Sequence, residues 1–391
     1  MYHRISNLPE FQSFFLFGPR GSGKTWLLRE NLKKHSRVLW IDLLKQEEFL
    51  RYTREPSELE EKIAANDSYP DWIVIDEVQR IPSLLNEVHR LLEDELYHQK
   101  IKFALSGSSA RKLKRGGANL LAGRAVVNYL HPLTFIELGT DFSLEDTLSW
   151  GSLPRVANIK NQEEKSDVLK SYVHTYIREE IREEQVVRKI DPFVRFLEIA
   201  ASANSEMVNF SKIARQIYSN TNTVQRYFQI LEDTLLGFFL EAYHPSVRKR
   251  QAKTPKFYLF DTGVARAMSN SLSIPLLPSS YSFGKAFEHF VILEAKRLND
   301  YFKRDFRFYY YHVDGNEIDL VVERPGRPLV LIEIKSSRHV DEAEVAKLSQ
   351  ISKAFREAEK RIFSLESTSR RKQDITIMPW NEGIKELLDL P

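Results

Sequence analysis

Residues Gly18-Pro19-Arg20-Gly21-Ser22-Gly23-Lys24-Thr25 match G-x-x-x-x-G-K-[ST] in full. The apolar run Phe14-Phe15-Leu16-Phe17 precedes them, and Trp26-Leu27-Leu28-Arg29, helical in pattern, comes next. Strand, glycine-rich loop and helix in that order form a cradle for phosphate. Glycines let backbone N–H groups turn inward around phosphate oxygens, and the helix adds its positive end. Lys24 is expected to neutralise the β- and γ-phosphates of ATP, and the Thr25 hydroxyl to ligate Mg²⁺. Gly18 through Thr25 are therefore the expected nucleotide-binding residues.

A second segment agrees with the first. Ile73-Val74-Ile75-Asp76-Glu77 places two carboxylates at the end of an apolar strand. Asp76 is expected to hold Mg²⁺ through its water shell, and Glu77 to orient and deprotonate the attacking water. The alternative makes Asp76 the N-cap of a helix beginning just after it. Further strand-length apolar runs lie at 38–41 and 101–105, with polar helical stretches between the runs. Short apolar strands separated by helices predict a parallel sheet covered on both faces. The expected class is α/β.

At 391 residues the chain has room for two or three domains of about 100–200 residues each. It contains no cysteine, which excludes disulfides, Cys-ligated metals and Cys nucleophiles. The N-terminus has no apolar signal-peptide core, and no apolar run nears the ~20 residues needed to span a bilayer. Cytoplasmic location and no membrane partner are the expectation. A formal net charge of +3 is close to balance, so any nucleic-acid contact must use local basic groups.

The pattern divides the chain into an ATPase core at 1–140, a charged helical lid at 141–204, a winged-helix-like segment at 205–268 and an α/β unit at 269–391. Residues 269–282, rich in Ser and Pro, read as the last connection. The mixed-charge run 178–184 reads as a solvated helix face.

The Gly18–Thr25 loop, Asp76-Glu77 and the segment Phe103-Ala104-Leu105-Ser106-Gly107-Ser108-Ser109-Ala110-Arg111 resemble the AAA+ family. The chain is more closely similar to prokaryotic AAA ATPases whose C-terminal half is the domain of unknown function numbered 4143. That likeness extends through Leu121-Ala122-Gly123-Arg124, 131–137 and Tyr258-Leu259-Phe260-Asp261-Thr262-Gly263. It implies a polar sensor near the γ-phosphate, filled by Ser106 or Ser108. It also implies an arginine finger, Arg124, which would act on a neighbouring subunit of a homo-oligomer. Gly151-Ser152-Leu153-Pro154 resembles the turn with which some of these ATPases contact adenine, and Ser152 stands where glycine is usual. A plain turn is the other reading.

Residues 210–217 form a short amphipathic pattern that Ser211 can cap. After a break at Tyr218-Ser219-Asn220, residues 221–232 carry Thr223, Gln225 and Arg226 on polar positions, with Val224, Tyr227, Phe228 and Leu231 inward. This is helix–turn–helix grammar. Beyond it, a basic loop holding Arg248, Lys249, Arg250 and Lys253 is a candidate wing, suited to phosphate contacts with DNA. In the alternative, the winged helix only packs against the lid and its basic residues are solvated.

Farther on, two apolar strands flank a turn at 324–328. A hairpin symmetric about Gly326 sets Asp319 opposite Glu333, and alternation puts Glu333 and Lys335 on one face. Two close carboxylates can hold Mg²⁺ or Mn²⁺ while lysine helps activate water. Glu288, on the helical pattern at 283–297, can add a third carboxylate, and Gln350 can orient water or phosphate. The constellation resembles the PD-(D/E)xK nuclease superfamily, with Ile318 in place of the nominal proline. That resemblance implies DNA cleavage through Asp319, Glu333 and Lys335. A nuclease fold can also serve as a binding module only.

Two functions from different classes compete. One is an ATP-driven enzyme that engages DNA and cuts it. The other is a nucleotide-controlled signalling or assembly switch whose nuclease-like domain is inert. Residues 281–391 hold 19 basic and 19 acidic residues, a balance that counts against a DNA-clasping surface. A small-molecule kinase is disfavoured because no segment suggests an acceptor pocket.

Overall fold

The structure is a computed structural model that describes residues 2–65, 68–97, 99–109, 120–177, 190–246, 248, 250, 253–355 and 357–390. The expected solvated face at 178–184 lies outside them. The chain divides into two compact units, one of residues 1–133 with 233–236, the other of 134–232 with 237–391.

The first unit is built on a five-stranded sheet in the order β2-β3-β4-β1-β5. Its strands are β1 (Ser13–Phe17), β2 (Val38–Asp42), β3 (Trp72–Asp76), β4 (Lys102–Gly107) and β5 (Ala125–Tyr129), and every pairing is parallel. Between them run α1 (Lys24–Leu32), α2 (Gln46–Arg54), α3 (Glu58–Ala64) and α4 (Leu84–Glu93). β1 and β3 are buried along their whole length, as a central strand covered on both faces must be. Phe15, Phe17, Ile73, Ile75, Phe103 and Leu105 continue into one core with residues of the helices, such as Leu84 and Val88. The four expected strands are present. β5, with Asn128 in its middle and Val127 and Tyr129 exposed, is an edge strand that the apolar-run criterion passed over.

The sheet topology positions the site. β1 lies between β4 and β5, so the chain leaves β1 and crosses over before β2. In open parallel sheets ligands bind at the carboxyl ends of the strands, where the strand order reverses. Phe17, Asp76 and Gly107 all end strands there.

In the second unit, α5 (Phe135–Leu138), α6 (Leu144–Trp150), α7 (Pro154–Ala157), α8 (Gln162–Ser171) and α9 (Ile190–Ser202) come first. Then α10 (Phe210–Gln216) and α11 (Thr221–Asp233) lead to an antiparallel hairpin of β6 (Gly237–Leu240) and β7 (Lys256–Leu259). Val224, Tyr227, Phe228 and Leu231 of α11 are buried, while Gln225 and Arg226 are exposed. The α10 cap is a correction. Asn209, not Ser211, accepts the orphan N–H of Lys212 at 2.9 Å, because Ser211 already lies inside the first turn.

After α12 (Thr262–Met268), residues 269–280 are irregular and lead to α13 (Tyr281–Tyr301). Next comes a six-stranded sheet in the order β12-β13-β11-β10-β9-β8. Its strands are β8 (Arg307–Val313), β9 (Asn316–Glu323), β10 (Val330–Ile334), β11 (Glu359–Ser364), β12 (Arg370–Lys372) and β13 (Ile375–Pro379). β9 runs antiparallel to both of its neighbours, β8 and β10, whereas β10, β11 and β13 run parallel. α14 (Glu342–Ser352) connects β10 to β11, and α15 (Trp380–Leu387) closes the chain. Among the described residues no helix is long and apolar enough to cross a membrane.

Candidate functional sites: a phosphate loop and a carboxylate–lysine cluster

The loop after β1 needs its glycines. Gly21 and Gly23 have φ of 81° and 96°, in the left-handed region that side chains disfavour. A Cβ at Gly18 would stand 2.2 Å from the Leu130 carbonyl oxygen. Lys24 opens α1 and is buried; its ammonium folds back over the loop, donating to the Gly18 carbonyl at 2.9 Å and the Pro19 carbonyl at 3.4 Å. Pro19 and Arg20 fill the loop's turn. Ser22 Oγ is buried and without a hydrogen-bond partner among the described residues. Arg4 braces the loop from behind, donating to the Ser22 carbonyl at 2.7 Å and the His131 carbonyl at 2.6 Å. Sequence reading missed Arg4, because a lone arginine near a terminus carries no pattern.

The two carboxylates have different side-chain partners. Thr25 Oγ1 donates to Asp76 Oδ2 at 2.7 Å, and Ser106 Oγ donates to Asp76 Oδ1. Burial raises the Asp76 carboxyl above its ordinary range, against the two hydroxyl donors from Ser106 and Thr25. A hydroxyl and a buried carboxylate side by side form a hard oxygen donor set, and a divalent cation there would offset the burial of that charge. The residues fit Mg²⁺. Glu77, the next residue, has φ 60°, a left-handed position for a non-glycine residue. Gln79 Nε2 donates to Glu77 Oε2 at 2.5 Å and to Ser108 Oγ at 3.0 Å. The two serines that sequence leaves as alternatives are placed differently: Ser106 Oγ donates to Asp76 and accepts from Glu77 N–H at 3.3 Å, whereas Ser108 reaches the Glu77 side chain through Gln79. Arg124 is exposed at the start of β5 and paired with Glu93 at 2.5 Å. Ala110 and Arg111 lie outside the described residues.

Pro154 belongs to the second unit, at the first position of α7. The turn before it is held within that unit. Ser152 N–H donates to Asp261 Oδ2 at 2.8 Å, and Arg297 donates to Ser152 Oγ at 3.0 Å. A Cβ at Gly151 would lie 2.0 Å from the Asp261 carboxylate. Arg297 also pairs with Glu294 at 3.0 Å, and Glu294 Oε2 accepts from Phe135 N–H at 2.9 Å. Burial pushes Glu294 up to about 7, against the Arg297 guanidinium and the Phe135 N–H. Sequence reading missed this network, since Glu294 and Arg297 resemble surface charges until the helix is seen to be buried there.

In the C-terminal sheet Leu320 pairs with Ile332, a register that brings Asp319 opposite Glu333 as expected. Asp319 Oδ2 accepts from Ile334 N–H at 2.7 Å. Lys335 pairs with Glu333 at 2.9 Å and with Glu344 at 2.9 Å. Burial, then Glu333 and Glu288, raise the Asp319 carboxyl well above its ordinary range. Glu288, on α13, accepts from Tyr258 OH at 2.8 Å and pairs with Lys256 at 3.3 Å. Lys256 also pairs with Glu317 at 2.7 Å. Among the described residues no three acidic or histidine side chains stand close enough to form a metal set. The expected trio of Glu288, Asp319 and Glu333 is therefore not assembled as a ligand set, and the ammonium of Lys256 lies among the acids. The donors are nonetheless hard carboxylates, and the buried Glu333 Oε2 has no hydrogen-bond partner among the described residues. Gln350 is exposed on α14.

One basic wing residue needs correction. Arg250, expected to face phosphate, is buried; it pairs with Glu323 at 3.2 Å, and its guanidinium lies over the Tyr243 and Tyr309 rings at 4.9 and 4.5 Å. The tyrosines of β8 and beside β6 supply an aromatic cleft that a guanidinium fills well. Arg248 is exposed, and Lys249 lies outside the described residues.

Residues 10–139 match the family model described as an AAA domain. The five-stranded sheet and its glycine loop are those of a P-loop ATPase-type α/β domain. Residues 141–273 match a domain of unknown function, DUF8612, and residues 283–382 match another, DUF4143. An uncharacterized protein of Mycobacterium tuberculosis is 28% identical over 315 residues, which cover 80% of this chain and 68% of that protein. An uncharacterized protein of Methanocaldococcus jannaschii is 23% identical over 343 residues, covering 81% and 73%. Among solved structures, a RuvB variant of Thermotoga maritima is 15% identical, covering 62% of this chain and 86% of its own at a TM-score of 0.31. Domain III of the Thermotoga maritima replication initiation protein DnaA is 17% identical, covering 43% and 78% at a TM-score of 0.25.

Proposed function

We propose that this chain binds and hydrolyses ATP with Mg²⁺ in its first unit and uses that cycle to govern engagement of DNA by its second. The observation that carries the reading is the Thr25–Asp76 pair beside a glycine loop with Lys24 folded over it. Thr25 and Asp76 would hold Mg²⁺, which screens the phosphate charge when bound. Lys24 exchanges the Gly18 and Pro19 carbonyls for phosphate oxygens. Glu77 takes a proton from the attacking water. Ser106 and Ser108 report the γ-phosphate to Asp76 and Glu77. Arg124, exposed and able to leave Glu93, would act on a neighbouring subunit's nucleotide in a homo-oligomer.

DNA engagement is supported by α10 and α11, whose outward Gln225 and Arg226 suit a groove. Metal-dependent cleavage at Asp319, Glu333 and Lys335 is supported by the order of β8 to β11 and by the facing carboxylates. A second reading, an inert nuclease-like module under a slow nucleotide switch, is favoured by the ion-paired Lys256. Turnover with and without duplex or single-stranded DNA separates the two. DNA-stimulated hydrolysis supports the first. Slow, DNA-insensitive hydrolysis with retained ADP would replace it by the second.

A further inference from the structure

A cavity of about 260 Å³ lies wholly within the second unit, walled by α6, α9, α12, the start of α13 and the irregular stretch after α12. That is room for roughly nine water volumes. Leu148, Ala201, Ala265, Ile274 and Leu276 give it apolar walls, and the exposed Tyr281 adds its ring. Arg266 on α12 and Lys285 on α13 supply two cations to the lining. Arg266 donates to the Ser149 carbonyl at 2.9 Å, to the Ser271 carbonyl at 2.7 Å and to the Ile274 carbonyl. It thereby pins the irregular stretch to α6, and a guanidinium has more N–H donors than these carbonyls use. The Lys285 ammonium stands 5.8 Å from the centre of the Tyr281 ring. Neither cation forms an ion pair among the described residues.

The charges on this lining do not cancel. Its one carboxylate, Glu206, is exposed and pairs with neither cation among the described residues. His289 also lines the cavity; Asn204 Nδ2 lies 3.1 Å from its Nδ1, and its Nε2 lies 2.6 Å from the Leu259 carbonyl oxygen. Burial pushes His289 down to about 4, so it adds no charge near neutral pH. Burial also draws the Arg266 guanidinium below its ordinary value, and no carboxylate opposes that. A half-buried charge without a counter-ion is costly, and an anion placed beside it offsets the cost. We propose that this cavity binds a small organic anion, its carboxylate or phosphate head group held by Arg266 and Lys285 and its apolar body lying against Leu148, Ile274 and Leu276. The site is distinct from the Gly18–Thr25 loop, which belongs to the first unit. It stands whether or not that loop hydrolyses ATP.

The test is titration of the full chain with phenyl phosphate and with benzoate, followed by ligand-observed nuclear magnetic resonance, with neutral benzyl alcohol as the control. Wild type is compared with Lys285→Gln, Lys285→Arg, Ala286→Leu and Lys24→Ala, each checked for native circular dichroism. Ala286 lines the cavity, so the leucine fills it. At least one of the two anions should bind wild type saturably, at least about tenfold more tightly than benzyl alcohol, and the tighter one identifies the head group. Lys285→Gln is expected to weaken that anion at least about tenfold, a loss of ~1.4 kcal/mol. Lys285→Arg should stay within about threefold of wild type, Ala286→Leu should abolish binding, and Lys24→Ala should leave it unchanged. Absence of saturable binding to wild type overturns the proposal. So does equal binding of benzyl alcohol, or undiminished anion binding in Lys285→Gln, a variant that breaks no ion pair among the described residues and therefore keeps the fold. Binding that is lost in Lys24→Ala but kept in Lys285→Gln assigns the anion to the phosphate loop and overturns it as well.

Discussion

Thr25 Oγ1 donates to Asp76 Oδ2 at 2.7 Å, joining the first turn of α1 to the end of β3 across 51 residues of sequence. The contact exists because β1 and β3 end at the same edge of a parallel sheet. On the proposed function, removing the hydroxyl would deprive a divalent cation of one ligand. Thr25→Ala is expected to weaken Mg²⁺-ATP binding about tenfold while changing Mg²⁺-free ATP binding less than about twofold. Fluorescent nucleotide titration with and without Mg²⁺ reads both.

Gln79 holds Glu77 and Ser108 at once and is itself buried. Its amide contacts the Glu77 carboxylate, so on the proposed function it would act by positioning that group. Gln79→Ala is expected to lower kcat about tenfold with KM within about twofold of wild type. A parallel rise in KM with unchanged kcat would show that the amide serves nucleotide binding instead.

Glu294 links pH to the stability of the second unit. Its carboxyl rises from 4.5 to about 7 on folding. The folded state therefore holds the proton more tightly than the unfolded chain. The associated stability is fully present below about pH 4.5 and is lost as pH rises to about 7. At 1.36 kcal/mol per unit, that shift is worth roughly 3 kcal/mol. His289, pushed down to about 4 by burial, acts with the opposite sign, adding stability as pH rises from about 4 to 6.5. Glu294→Gln should gain stability relative to wild type between pH 5 and 7.5, read as the difference in urea midpoint. A constant difference across that range would contradict the burial account.

The sequence made most of the first unit legible, and the reasons are physical. A strand that is apolar over Trp72–Ile75 can only be buried, and a glycine loop ahead of lysine has few other uses. Edge strands were less visible: β5 interrupts its apolar residues with Asn128, and β12 is the charged run Arg370–Lys372. The Asp319–Glu333 apposition was legible because a hairpin about Gly326 has only one symmetric register. What could not be read was the interior partner of each charge. Arg250, Lys256, Glu294 and Arg297 resemble surface residues in a linear chain, and only packing turns them inward.

The most direct test of the central claim is steady-state ATP hydrolysis by wild type, Lys24→Ala and Glu77→Gln, with ATP binding measured alongside. The account predicts turnover in wild type, loss of binding and turnover in Lys24→Ala, and near-normal binding with turnover reduced by about 100-fold or more in Glu77→Gln. Undiminished hydrolysis in either variant would contradict the assignment of this loop and this carboxylate as the site of the reaction.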